Sequence, residues 1–147
     1  MLIAIGSDHR GYKLKQKLSM FLCEIGHQYQ DAGCFDADPT DYPDIAAIVA
    51  TAVANGEADR GVLICSTGIG MSITANKVVG IRAALCNDPL LARMAREHND
   101  ANILCLGGSI IDEPLAFETT STFLTSEFEG SRHSLRLNKI TQLEQPK

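Results

Sequence analysis

The chain has no excess of positive charge: 13 Lys and Arg stand against 18 Asp and Glu, a formal net charge of -5. Broad nucleic-acid binding needs a basic face, so that class is set aside, while a small basic pocket for a phosphorylated metabolite stays open. Cysteines are never paired as CxxC. Cys23, Cys34, Cys65, Cys86 and Cys105 sit singly in apolar stretches, which excludes a disulfide framework and implies a reducing, intracellular setting. No apolar run reaches membrane-spanning length. Met1 to Gly6 has no basic region before it and meets charge at Asp8, so it reads as a strand and not a signal peptide. Cytoplasm is the expected location. Nucleotide-binding loops are missing too: GxxxxGK[ST] does not occur, and in the one candidate GxGxxG the third glycine is replaced by Ile73. Neither HxxxH nor a Cys/His ligand spacing appears, so neither metal nor cofactor is expected.

What is present is an ordinary globular composition, 45% hydrophobic and 21% charged over 147 residues. That length suits one domain over 1–147 with a real core. Short β-prone runs alternate with helical patterns. Strands are expected at Leu2–Ser7, His27–Asp31, Gly61–Cys65, Ile81–Cys86 and Ile103–Leu106. Helices are expected at Tyr12–Ile25, from Tyr42-Pro43 to about Asn55, at Met71–Lys77, after the Asn87-Asp88-Pro89 cap, at Pro114–Thr125 and over about 132–145, its apolar pattern clearest at Ser134–Leu143. Such alternation implies right-handed βαβ units and an α/β fold, a three-layer αβα sandwich around a parallel Rossmann-like sheet. In sheets of this kind the ligand lies beyond the carboxyl ends of the strands. Asp8-His9, Cys65 to Gly70 and Gly107-Gly108-Ser109 follow the first, third and fifth strands, where that rule wants them.

Cys65 ends a strand just before a glycine-interrupted turn and a helix. Backbone N–H groups freed by Gly68 and Gly70 can converge on an anion, and the same field stabilises a thiolate. A tight strand-to-helix turn with no chemistry is the competing reading. The other four cysteines read as small core hydrophobes. Asp8-His9 is either a helix-capping turn or a ligand group. His98 is either a dipole-complementing helix end or a functional partner, and convergence of His9 and His98 on one sheet edge is expected. Arg132 and Arg136, four residues apart, share a helical face and suit a phosphate clamp or a solvated basic face.

These segments together resemble the ribose-5-phosphate isomerase B family, which includes galactose-6-phosphate isomerase subunits and allose-6-phosphate isomerases. The resemblance spans nearly the whole chain. It rests on Gly6-Ser7-Asp8-His9-Arg10-Gly11, Thr40-Asp41-Tyr42-Pro43-Asp44, Cys65 to Ile73, Ala75-Asn76-Lys77, Gly80-Ile81-Arg82-Ala83, His98-Asn99-Asp100-Ala101-Asn102 and Arg132-His133.

The resemblance implies a five-stranded parallel sheet and a metal-free aldose–ketose isomerisation through an enediolate, with ribose 5-phosphate and ribulose 5-phosphate as the pair. It implies Cys65 as the base between C1 and C2 and His98 as the group opening the furanose ring. Asp8 would hold sugar hydroxyls. Ser66, Thr67, Asn99 and the Gly68-Ile69-Gly70 backbone would orient substrate and stabilise the oxyanion, with Tyr42 a further contact. His9, Arg132 and Arg136 would take the phosphate. It further implies a homodimer or homotetramer with interfacial sites, the C-terminal helix packing on the neighbour. One departure stands out: members acting on ribose 5-phosphate commonly carry an arginine after the paired-glycine turn, where this chain has Ser109, with Arg10 a candidate substitute. The alternatives are another sugar phosphate (allose 6-phosphate, galactose 6-phosphate or a tetrose phosphate) or a noncatalytic sugar-phosphate-binding partner subunit. A thiol redox protein ranks behind both.

Overall fold

The computed structural model describes residues 1–144. Its elements run in chain order as β1 Leu2–Ser7, α1 Tyr12–Glu24, β2 Gln28–Asp31, α2 Tyr42–Ala54, β3 Arg60–Cys65, α3 Ile69–Ala75, β4 Ala83–Leu85, α4 Pro89–Asn99, β5 Ile103–Gly107, α5 Glu113–Thr125 and α6 Arg132–Leu143. Local chemistry accounts for most boundaries. α1 gives way at Gly26, which sits at φ 86°, a left-handed value that suits glycine at a helix end. α4 starts where the Asp88 side chain accepts from the Leu91 N–H at 2.9 Å, followed by Pro89 in the first turn, where a missing N–H goes unnoticed. Asp112 and Pro114 open α5 in the same way, with Leu115 N–H on Asp112 Oδ1 at 3.0 Å.

Two elements, β4 and α3, depart from expectation, while α6 starts where expected. β4 is shorter than Ile81–Cys86 because its lead-in residues take other partners: the Ile81 N–H bonds Val78 O, and the Arg82 N–H bonds Asn102 Oδ1 at 2.8 Å. α3 starts at Ile69 and closes before Asn76, whose side-chain amide bonds Ser72 O and Ala83 O. α6 begins at Arg132, and position 145 of its expected span lies outside the described residues.

All five strands are parallel, in the order β2-β1-β3-β5-β4. Pleating sends alternate side chains of each strand to opposite faces. Ile3, Ile5, Val62, Ile64, Leu104 and Leu106 pack with Leu18 and Leu22 of α1, Ala92 and Ala95 of α4 and Phe123 of α5. Ala4, Leu63, Cys65, Ile103 and Cys105 pack with Ile45, Val49 and Val53 of α2 and Met71 and Ala75 of α3. The chain therefore leaves β1 and β5 toward one face and leaves β3, which lies between them, toward the other. Loops that diverge in this way are where α/β sheets place their ligand crevices, at the carboxyl ends of the strands, and Cys65 ends the strand between them.

Candidate active site

The loop after β3 is organised around the Cys65 sulfur. Cys65 stands opposite Gly107 in the sheet and is only 5% exposed. The Gly68 N–H donates to its Sγ at 3.1 Å, so negative charge on this sulfur meets a main-chain donor. Gly68 holds that position at φ 78°, and a Cβ there would lie 2.5 Å from Leu85 Cδ1 and 2.9 Å from the carbonyl carbon of Leu106. Thr67 Oγ1 accepts from the Ile69 N–H at 3.3 Å. Two of the three amides expected to face an oxyanion are thus directed at side chains of the loop itself. The amide of Gly70 lies in the first turn of α3, where no intrahelical carbonyl precedes it.

Neighbouring loops are bound to this one. The Gly108 N–H donates to Cys65 O at 2.7 Å, and the Ser109 N–H to Ser66 O at 3.0 Å. Ser66 Oγ and Ser109 Oγ are 3.1 Å apart, which puts the position where an arginine is common directly beside the thiol loop. The Tyr42 ring lies against Gly70, so closely that an added Cβ would come within 2.5 Å of its Cε2.

Asp8 follows β1 and is 7% exposed. Its Oδ1 accepts from the N–H groups of Arg10 at 2.9 Å and Gly11 at 3.0 Å. Asp8 thus closes the turn ahead of α1 without capping the helix, whose N-cap is Gly11 with no side-chain bond, and both bonds fall on one carboxylate oxygen. His9 Nδ1 accepts from the Thr40 N–H at 3.2 Å. A backbone amide can only donate, so in this geometry Nδ1 is the acceptor and Nε2 is the ring nitrogen left to donate at the outer edge. Asp8, His9, Tyr42, Cys65, Ser66, Thr67, Gly68, Ile69 and Gly70 thus share the carboxyl edge of the sheet.

His98, Asn99, Arg132 and Arg136 do not join them, and the expected convergence of His9 and His98 on one edge is overturned. α4 runs back against the strands, so its last residues lie beside the start of β5, where Ile103 faces Gly61. Cys65 lies four rungs further along, about 13 Å at the ordinary strand rise. At that amino edge His98 stacks on His133 of α6, ring centroids 4.4 Å apart and planes 11° from parallel. Arg132 and Arg136 extend from the same helix, both exposed.

A family model described as Ribose/Galactose Isomerase matches residues 3–140. The chain belongs to that family. Ribose-5-phosphate isomerase B of Escherichia coli is 45% identical, with 97% of this chain and 96% of that protein covered. A D-erythrulose-4-phosphate isomerase of Pectobacterium atrosepticum is 42% identical over 94% of this chain and 91% of its own. A solved structure of Clostridium thermocellum ribose-5-phosphate isomerase B superposes with a TM-score of 0.97 at 51% identity, covering 98% of this chain and 97% of that one. This is a sugar-phosphate isomerase of the ribose-5-phosphate isomerase B type.

Electrostatics separate the isomerase's two edges further. Burial, then the neighbouring His98, Arg132 and Arg136, hold the His133 imidazole below its ordinary value, against the opposite pull of Glu129. Its Nε2 lies 3.5 Å from Arg132 Nε and 3.6 Å from Glu129 Oε2. His98, Glu129 and His133 are the one group among the described residues whose ligand atoms lie within 4.8 Å of one another. Their chemistry suits a cation poorly, because stacked rings send their lone pairs side by side and Arg132 adds a positive neighbour. Burial first, then Asp88, pushes the Cys86 thiol up to about 11. Burial, with Cys65 and Cys86 adding to it, pushes Cys105 up as well. Cys34, Cys86 and Cys105 are buried as expected, whereas Cys23 is exposed on α1 and is not a core residue.

A cavity of 670 Å³ opens at the amino edge, lined by Asn76 to Val79, Ile81 to Ala84, Asn99, Ala101 and the end of α6, and it does not include Cys65. Two features escaped the sequence reading. One is the His98–His133 stack, for which the only signal was the Arg132-His133 pair. The other is Lys15, fully buried on α1, whose Nζ reaches both carboxylate oxygens of Asp31 and the Cys34 carbonyl at 2.5–2.6 Å and so anchors the loop that leads to Thr40 and His9. Among the described residues no helix is long and apolar enough to cross a membrane.

Proposed function

We propose that this isomerase interconverts ribose 5-phosphate and ribulose 5-phosphate, and that each working site joins the carboxyl edge of one chain to the amino edge of a second copy. The observation that carries the reading is the separation of Cys65 from His98 within a chain of this family. A two-fold pair brings two different patches into reciprocal contact, so His98, Asn99, Arg132 and Arg136 of one chain would face Cys65 of the other, with α6 packed on the neighbour.

In such a site His98 opens the furanose by moving a proton at the ring oxygen, while Asp8 holds the adjacent hydroxyls. Cys65 then takes the proton from C2 of the open aldose and returns it to C1, while the proton of the C2 hydroxyl passes to O1 and C2 becomes the ketone carbon. The electrons released from the C–H bond form the enediolate and place charge on the former carbonyl oxygen. Donors already aimed at that oxygen lower the barrier because they act on charge that exists only in the transition state; the Gly70 amide, Thr67 hydroxyl and Asn99 amide are the candidates, with Ser66 and the Ile69 backbone lining the approach. Phosphate held by His9, Arg132 and Arg136 fixes the reacting carbons. Tyr42 closes the side above Gly70.

A second reading keeps the chemistry and changes the sugar. It is favoured by Ser109 beside the thiol loop and by the relative named for a tetrose phosphate. Initial rates over aldose phosphates of four to six carbons, on protein treated with chelator, separate the two. Ribose 5-phosphate is expected to give the highest kcat/KM, with Cys65→Ala inactive but folded. A tetrose or hexose phosphate leading the panel would replace the substrate, and an active Cys65→Ala would remove the base.

A further inference from the structure

The turn that presents His98 and Asn99 ends in a residue that resists its own backbone. Asp100 caps α4 at φ 43° and ψ 44°, the left-handed region that residues with a Cβ seldom occupy. Such a conformation persists only where surrounding bonds overdetermine it, and functional turns are where it collects. Here the bonds come from two arginines on different elements. Arg96, one turn earlier on α4 and 4% exposed, places Nη1 on Asp100 Oδ1 at 2.7 Å and on Ala101 O at 2.6 Å. Arg82, leading into β4, places Nη2 on Asp100 Oδ2 at 3.0 Å and on Asp100 O at 2.9 Å. Its Nε bonds Asn99 O at 2.9 Å and Asp100 O at 3.1 Å.

Each carboxylate oxygen thus has its own guanidinium, and two of the carbonyls at the end of α4, those of Asn99 and its cap Asp100, are gathered by Arg82. Asn102 holds Arg82 in turn, accepting from the Arg82 N–H at 2.8 Å and donating to Gly80 O at 2.9 Å. Planar guanidinium groups impose direction as well as charge, which a lysine at the same place would not. None of these side chains is needed to cap a helix; a glycine alone does that. What the arrangement adds is a fixed exit angle for the two residues before Asp100.

We propose that Arg82, Asp100 and Arg96 form a clamp of positioning residues that sets the direction in which His98 and Asn99 project into the site. The inference rests on the reading of His98 as the ring-opening group. An error in the exit angle moves the imidazole relative to the sugar ring oxygen without touching the thiol or the phosphate ligands. The defect should therefore fall chiefly on ring opening, because proton transfer between C1 and C2 keeps Cys65, the Gly70 amide and Thr67 and loses only the Asn99 donor.

Ribulose 5-phosphate makes these steps separable, because its C5 oxygen is phosphorylated and it cannot close to a furanose. Exchange of its C1 hydrogen with solvent deuterium needs Cys65 chemistry alone, while net conversion of ribose 5-phosphate needs ring opening as well. Arg82→Gln, Asp100→Asn and His98→Asn would be compared in both assays, with melting temperature as the check on folding. Asn tolerates the left-handed backbone and Arg82 is partly exposed, so at least one clamp variant remains folded. Expected for both clamp variants are a loss of about ten- to a hundred-fold in net conversion, a several-fold smaller loss in exchange, and partial recovery in Arg82→Lys. If His98→Asn shows that split and folded Arg82→Gln and Asp100→Asn show none, the clamp is refuted while His98 keeps its role. If His98→Asn shows no split, ring opening by His98 fails and the clamp loses its purpose with it.

Discussion

Complementation between two inactive chains gives the sharpest test of a site shared by two copies. Within one chain the Cys65 rung and the start of β5 are four residues apart along paired strands, about 13 Å. A base and a ring-opening acid must both come within about 3 Å of the same small molecule. One chain cannot meet that condition from opposite edges of its sheet, whereas two chains related by a two-fold axis can. Cys65→Ala would lack the base in both sites of its homodimer, and His98→Asn the acid in both of its own. In the mixed pair one site collects both lesions and the other collects neither. Co-expression with two affinity tags, followed by sequential purification, isolates that pair. Its turnover is expected at about half that of the wild-type dimer, one good site of two, against parents reduced at least a hundredfold for Cys65→Ala. A purified mixed pair no more active than its parents would refute the shared site and return both residues to a single chain.

Gly68→Ala should be the costliest change in the thiol loop: it demands φ 78° of a residue with a Cβ and drives that atom to 2.5 Å from Leu85 and 2.9 Å from Leu106 backbone. A loss of about 2 kcal/mol or more in urea unfolding is expected, and an unchanged midpoint would show that the turn relaxes freely. His133 makes stability depend on pH in a definite sense. Because its folded value is lowered, the unfolded chain binds the extra proton, so the contribution is present above about pH 6.5 and is lost as pH falls through the folded value. Melting temperatures from pH 7.5 to 5 should fall less steeply in His133→Gln than in the parent, and parallel curves would show that burial at this position does not resist protonation.

Much of the thiol loop is legible in the sequence. The passage from apolar strand to Gly68 and Gly70 fixes a turn by steric necessity, and Cys65, Thr67 and the turn amides lie within a few residues of one another, so sequence proximity already means spatial proximity. The order of strands and helices followed from periodicity and from Asp-Pro caps such as Asp88-Pro89, all interactions spanning a few residues. Asp8 was legible as a turn residue ahead of α1 for the same reason, although it does not cap the helix. Reading α1 as ending at Gly26 needed only the conformational freedom of glycine.

Edges and partners were decided elsewhere. Whether His98 lies beside Cys65 depends on the direction of α4 and on strand order, which long-range packing sets and residue spacing does not encode. The shortness of β4 came from Asn102, twenty residues away from the Arg82 N–H it accepts. The exposure of Cys23 depends on which side of α1 meets the sheet. Asp100 looks like a helix-end residue in sequence; only the approach of Arg82, from the segment that leads into β4, turns it into the pivot between two guanidinium groups. Local sterics and hydrogen bonding therefore wrote the geometry of the thiol loop into the chain, while the meeting of distant charges, and the placing of Cys65 and His98 at opposite ends of the sheet, arose from packing.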